Sequence, residues 1–233
     1  MTTYKSLLTE VRNLKRIAND EFREKLLTLL NSGEEDQINQ ALMLNDTLGI
    51  LSDKEIGQVM VINGKVNIKE QWKQGGFGWY LLEKYPNHPM WNNLRELNLS
   101  YLNLTSIPSS LGNLRNLREL NLSGNLASLP KEIGNLKNLK ELQLLNSKLT
   151  SLPKEIGNLK NLIVLGLSYN NLSNLPSWIG NLKNLLYLDL YGNNLTSLPE
   201  EIGNLTNLKE LYLENSGLTI EDVPPNLRKV TLF

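Results

Sequence analysis

The chain has one histidine, His88, set in Pro86-Asn-His-Pro89. Acid–base or metal chemistry there would need a partner imidazole or thiolate, and the chain has no second histidine and no cysteine. Disulfides and cysteine nucleophiles are excluded on the same ground. The glycine cluster Gly75-Gly76-Phe77-Gly78 lacks the spacing of either phosphate-cradling glycine motif and reads as a flexible connector. Glu96, Glu119, Glu141 and Glu210 recur at one position of a periodic pattern, which describes a solvated stripe better than an acid/base pair. No catalytic residue, metal ligand or cofactor is therefore expected. The remaining candidates have the chemistry of a binding surface, and they are aromatic: Tyr187, Tyr191 and Tyr212, with Trp178 elsewhere.

Charge sets a second bound. The 233 residues carry 24 basic and 24 acidic side chains, so no excess charge draws the chain to a polyanion, and nucleic acid is not expected as a partner. No apolar run approaches the length needed to span a bilayer, and Lys5, Glu10 and Arg12 break the first segment, unlike the apolar stretch of a signal peptide. A monomeric cytoplasmic protein is the expectation, with secretion as the alternative if a leader has been removed.

The candidate residues are positioned by a repeat. Leucines start successive units at Leu94, Leu117, Leu139, Leu162, Leu185 and Leu208, with a partial copy at Leu227. The period is 23, except for a 22-residue unit from Leu117 to Leu139 and a shortened last full unit. Within a unit, Leu-x-x-Leu-x-Leu alternates at period two around its last two leucines and predicts a short strand. Pro-x-x-Ile-Gly-Asn-Leu-x-Asn-Leu follows at Pro130, Pro153 and Pro199, with near-copies at Pro108 and Pro176. Proline lacks an N–H, so this segment should be an irregular or 3₁₀ return rather than a second sheet. The Asn that follows each strand, at Asn125, Asn170 and Asn193, should satisfy buried backbone groups of the turn; Leu102, Ser147 and Ser216 interrupt that series. One unit cannot bury enough surface to offset its ordering entropy, so units must stack and both ends need caps.

Leu162, Leu165, Leu167, Asn170, Leu172, Leu175 and Pro176 carry the resemblance most clearly: the chain resembles the leucine-rich repeat family, in the 23-residue form of the Ras-group and many bacterial members. The resemblance implies an α/β fold, a right-handed leucine-rich repeat solenoid with a parallel sheet on its concave face and a 3₁₀ or irregular convex face. It also implies a non-enzymatic protein-interaction module that binds a protein or peptide on the concave side, in intracellular signalling. A small GTPase partner is an analogy only. Two alternatives stand beside this: a secreted or surface bacterial effector or adhesion-type repeat protein, and an enzyme with its site in residues 1–90.

Residues 1–70 lack the repeat. Leu7, Val11, Leu14 and Ala18, then Phe22, Leu26 and Leu29 or Leu30, predict helices, and Asn63-Gly64 predicts a hairpin near 59–68. Residues 71–93 form an aromatic-rich cap or connector with Trp72, Trp79, Tyr80 and Trp91, and 94–233 form the solenoid of about six repeats and a terminal half-repeat. The helical region reads either as the cap of the first repeat or as a separate interaction domain.

Three variable positions per strand face the concave side. The first series runs Glu96, Glu119, Glu141, Val164, Tyr187, Glu210, Lys229; the second Asn98, Asn121, Gln143, Gly166, Asp189, Tyr212, Thr231; the third Ser100, Ser123, Leu145, Ser168, Tyr191, Glu214, Phe233. The early strands are polar, and apolar and aromatic residues gather from Leu145 onward. Leu145, Val164, Tyr187, Asp189, Tyr191, Tyr212 and Glu214 are the candidate partner-binding residues, because tyrosine offers stiff, amphipathic contact area. Trp178 is a secondary candidate on the return side, unless it folds back over Pro176.

Overall fold

The computed structural model describes residues 94–232 continuously, together with Asp20, Arg23, Glu24, Leu82, Glu83, Trp91 and Asn92. The helices and hairpin expected over 1–70 and the connector over 71–93 otherwise lie outside the described residues, as does Phe233. Trp91 and Leu82 are buried.

The six full units each give a three-residue strand: β1 (Glu96–Asn98), β2 (Glu119–Asn121), β3 (Glu141–Gln143), β4 (Val164–Gly166), β5 (Tyr187–Asp189) and β6 (Glu210–Tyr212). A shorter β7 (Thr231–Leu232) closes the series, and all seven pair in parallel in chain order. From β1 to β6 the register is strictly repeat on repeat, with Leu97, Leu120, Leu142, Leu165, Leu188 and Leu211 side by side. The reason is the period of two: shifting one strand by a residue would turn its core leucines outward.

Each return segment is a 3₁₀ turn that starts directly after the proline: Ser109–Asn113, Lys131–Asn135, Lys154–Asn158, Ser177–Asn181 and Glu200–Asn204. The proline carbonyl accepts the first bond of the turn, as from Ile133 N–H at 3.2 Å and Ile156 N–H at 3.1 Å. The Ile-Gly of the motif then has two separate uses. Ile133, Ile156, Ile179 and Ile202 are fully buried in the core. The glycine lets the next turn approach: a Cβ on Gly134 would stand 2.5 Å from the Glu155 carbonyl oxygen, too close for any other residue.

A second ladder runs along the outside. The last Asn of Leu-x-Asn-Leu donates its amide to a backbone carbonyl one unit earlier, through Asn138 to Arg115, Asn161 to Lys137, Asn184 to Lys160 and Asn207 to Lys183, at 2.8–2.9 Å. The repetition of that asparagine in the sequence is thus a unit-to-unit clamp.

The buried ladder is less regular than its letters suggest. Asn170 donates to the carbonyls of Leu144 and Leu167 and accepts from Leu149 N–H, and Asn193 makes the same set with Leu167, Leu190 and Leu172. Asn125, expected to do likewise, is only half-buried and takes no part in this ladder. Its unit is one residue short, so Leu126 follows it directly where Asn171 separates Asn170 from Leu172. The deletion moves Asn125 off the ladder position, and Gly124 takes up the turn with φ 156°.

The C-terminal end also corrects an expectation. The aligned repeats set Thr231 beside Tyr212, but Tyr212 pairs with Leu232 and the buried Leu211 pairs with Thr231, a slip of one residue. Arg228–Val230 winds into a 3₁₀ turn in which the Leu227 carbonyl accepts from Val230 N–H and from the Thr231 hydroxyl. The strand consequently starts late. Leu227 stays buried, Val230 is half-buried, and Leu232 faces out at 45% exposure. Before it, Thr219 donates its backbone N–H and its hydroxyl to Asp222, which holds that carboxyl below its ordinary pKa; the Glu221–Arg228 ion pair spans the same turn.

Candidate functional site

The residues between the core leucines form the outer face of the sheet, the concave side of a stack whose bulkier 3₁₀ turns lie opposite. On β1 to β3 this face is polar and in register. Glu96, Glu119 and Glu141 stand side by side, as do Asn98, Asn121 and Gln143. Side chains here tidy their own strand: Asn98 accepts from Ser100, Asn121 from Ser123 N–H, and Gln143 donates to Glu141 at 3.0 Å.

From β4 the chemistry changes. Val164 and Tyr187 are register partners, and Asp189 and Tyr212 are partners one step further along. Gly166 leaves a gap that the Gln143 amide fills: its Oε1 would be 1.8 Å from any Cβ placed there, and Leu145 Cδ1 would be 3.0 Å away. Leu145, Val164, Tyr187, Asp189, Tyr191 and Tyr212 are half-buried and Glu214 is exposed.

The rings are held by different partners. Tyr191 makes its described ring contact with Tyr169, edge to face with centroids 4.9 Å apart, and its hydroxyl accepts from Asn215 at 2.9 Å. Tyr169 stands at 57% exposure with φ 54°, a conformation bulky side chains avoid. Gly192 explains how it fits, because the Tyr169 ring edge lies 3.0 Å from where a Cβ on Gly192 would be. Side-chain hydrogen bonding with Tyr191, ahead of desolvation, raises the Tyr169 phenol above its ordinary value. The Tyr212 hydroxyl donates to Glu210, which raises the Tyr212 phenol and fixes the ring over β6. Tyr169 therefore belongs with the candidates. Its signal in the sequence was its place next to the strand end, directly opposite the turn that Gly192 occupies one unit later.

Trp178 does not present an exposed ring. It is half-buried, with its Cβ over Gly157 as the Glu155 Cβ lies over Gly134. It replaces the aliphatic stem of a glutamate in the stack.

One further group is not marked by the leucine spacing. The two residues heading each strand run Arg95-Glu96, Arg118-Glu119, Lys140-Glu141, Ile163-Val164, Leu186-Tyr187 and Lys209-Glu210. Four headers are charged and the two consecutive ones between them are apolar. Ile163 and Leu186, both half-buried, line a shallow groove of about 330 Å³ with Lys140, Asn161, Asn184 and Asn207 at the rim where the strands begin. Ile163 and Leu186 thus put an apolar pair at the rim of β4 and β5, beside the asparagines of the outer ladder. Comparing the position before each glutamate, unit by unit, would have found it.

Among the described residues no group of acidic, histidine or cysteine side chains could hold a metal ion, and no helix is long and apolar enough to cross a membrane.

Parallel three-residue strands, prolyl 3₁₀ returns and a buried asparagine turn define a leucine-rich repeat solenoid, and the chain belongs to the leucine-rich repeat proteins. The family's leucine-rich repeat region matches residues 131–231, and single repeats match 93–114 and 116–136. Among solved structures the chain is similar to a leucine-rich repeat protein of Leptospira interrogans, with 38% identity and a TM-score of 0.62 over 77% of this chain and 45% of that one. It is also similar to the Arabidopsis receptor kinase HAESA, solved with the peptide hormone IDA and a co-receptor, at 35% identity and a TM-score of 0.46 over 52% of this chain and 22% of that one. The chain spans less than half the length of either. No curated protein matches it.

Proposed function

We propose that the chain is a protein-interaction module whose partner, a protein or peptide, binds the concave face of β3 to β6 around Leu145, Val164, Tyr187, Tyr191 and Tyr212. The observation that carries this is the contrast within one sheet. The leucines beneath every strand are equally buried, so the fold does not require the face above β4 and β5 to differ from that above β1 and β2. A half-exposed patch of valine, leucine and tyrosine is a cost in water unless something covers it. Tyrosine rings already held by Asn215, Glu210 and Tyr169 lose little freedom on binding, which favours their use as anchors.

The cysteine-free composition supports action in a reducing compartment, and a signalling scaffold is the corresponding setting. Affinity capture from the source cells, on wild type beside a folded Tyr187→Ala/Tyr212→Ala variant, tests the reading. A protein retained by wild type and lost from the variant is expected; equal retention on both would overturn the assignment of this face.

A further inference from the structure

The ligand class can be narrowed by charge, on the basis of the concave-face reading above. The three inner-face positions of β1 to β6 hold Glu96, Glu119, Glu141, Asp189, Glu210 and Glu214 and no lysine or arginine, in a chain whose acids and bases balance at 24 each. Compensating bases lie elsewhere, at the strand-start rim with Arg95, Arg118, Lys140 and Lys209. Glu119 and Glu141 are direct register partners, an arrangement in which like charges on neighbouring strands repel. A cation laid across them relieves that repulsion.

The acidic positions flank the apolar ones. Glu141 precedes the Val164–Tyr187 pair and Glu210 follows it along the sheet, while Asp189 and Glu214 border Tyr191 and Tyr212. Seven strands at about 4.8 Å spacing give a track of about 30 Å, which an extended chain rising about 3.3 Å per residue crosses in roughly nine residues. The face, on the order of 400 Å² in projection at that spacing, is smaller than the ~800 Å² per partner of a stable globular interface. A single extended segment suits it better.

We infer that the concave face takes an extended basic peptide segment, with one or two apolar side chains seated on Val164 and Tyr187 and with Lys or Arg side chains over the carboxylates on either side. A neutral or acidic peptide would leave Glu119, Glu141 and Asp189 facing like charge or desolvated without a compensating cation.

The test is selection of displayed random dodecapeptides on the full chain, followed by dissociation constants for the enriched sequences at low and high salt. Enrichment of Lys and Arg around an apolar pair is expected, with binding weakened about tenfold or more at 500 mM salt as the charges are screened. Asp189→Asn/Glu214→Gln should weaken binding and flatten that salt dependence. The structure should survive the change, since the side-chain oxygen that accepts from Tyr191 N–H is kept by an amide at position 189. Neutral or acidic peptides that bind, and are lost on Tyr187→Ala/Tyr212→Ala, would overturn the basic class while leaving the face intact as a binding site. Failure to enrich any peptide sensitive to the tyrosine pair would overturn both.

Discussion

The units around β1 and β2 and those around β4 and β5 share one interior and differ in their exteriors. Leu97 and Leu120 are buried as Leu165 and Leu188 are, and strand pairing is the same. Above them stand glutamate and asparagine in one region, and valine, glycine, aspartate and tyrosine in the other. The interior sets the architecture because a displaced leucine would break the stack. The exterior is constrained only by solubility, so a run of apolar residues there reports on something other than folding.

If the interiors are equivalent, their failure should be too. Leu120→Ala and Leu165→Ala should each cost about 2–5 kcal/mol in chemical denaturation, because both remove a fully enclosed side chain. Values differing by more than that range would show that the two regions are not built alike.

The turn asparagines sharpen the comparison from the opposite side, since there the same letter has different uses. Asn170→Ala strands Leu149 N–H and two carbonyls in the core and should cost about 2–3 kcal/mol. Asn125→Ala should cost under about 0.5 kcal/mol, as for other surface changes. Thermal melts of the two variants measure the difference directly.

The smallest effect lies at the end of the stack. The Asp222 carboxyl is lowered by the Thr219 backbone N–H and then its hydroxyl, so the stability it adds is present above the ordinary carboxylate pKa of 3.8 and is lost as pH falls through the depressed folded value. Asp222→Asn should remove this acid-range dependence by slightly lowering the melting point near neutrality, where the carboxylate contributes, and leaving it unchanged at the acid end of the same melts at pH 2 to 7.

The repeat was legible because one side-chain type at fixed spacing determines strand, core and register together. Pro130, Pro153, Pro176 and Pro199 located the returns equally well, since a missing N–H restricts where such a residue can sit. Legibility failed where a single residue changed the count. The deletion after Asn125 moved it off the ladder, and the turn at Arg228–Val230 slid β7 by one, neither of which the leucine spacing records. On the face, the alignment of variable positions brought Val164, Tyr187 and Tyr212 onto neighbouring strands. It missed Tyr169, which enters from the turn, and Ile163 and Leu186, which lie at the rim rather than between the leucines. Their contribution depends on how the turn and the rim meet the sheet in space.

The assignment of binding to one region of a uniform stack is tested most directly by the dissociation constant of one captured or selected ligand against three proteins: wild type, Tyr187→Ala/Tyr212→Ala, and Asn98→Ala/Asn121→Ala. Loss of about thirtyfold or more is expected for the tyrosine pair, the effect of removing a buried anchor worth about 2 kcal/mol or more, and the asparagine pair should bind within about twofold of wild type. Equal losses, or a larger loss from the asparagine pair, would contradict the placement of the site on β3 to β6.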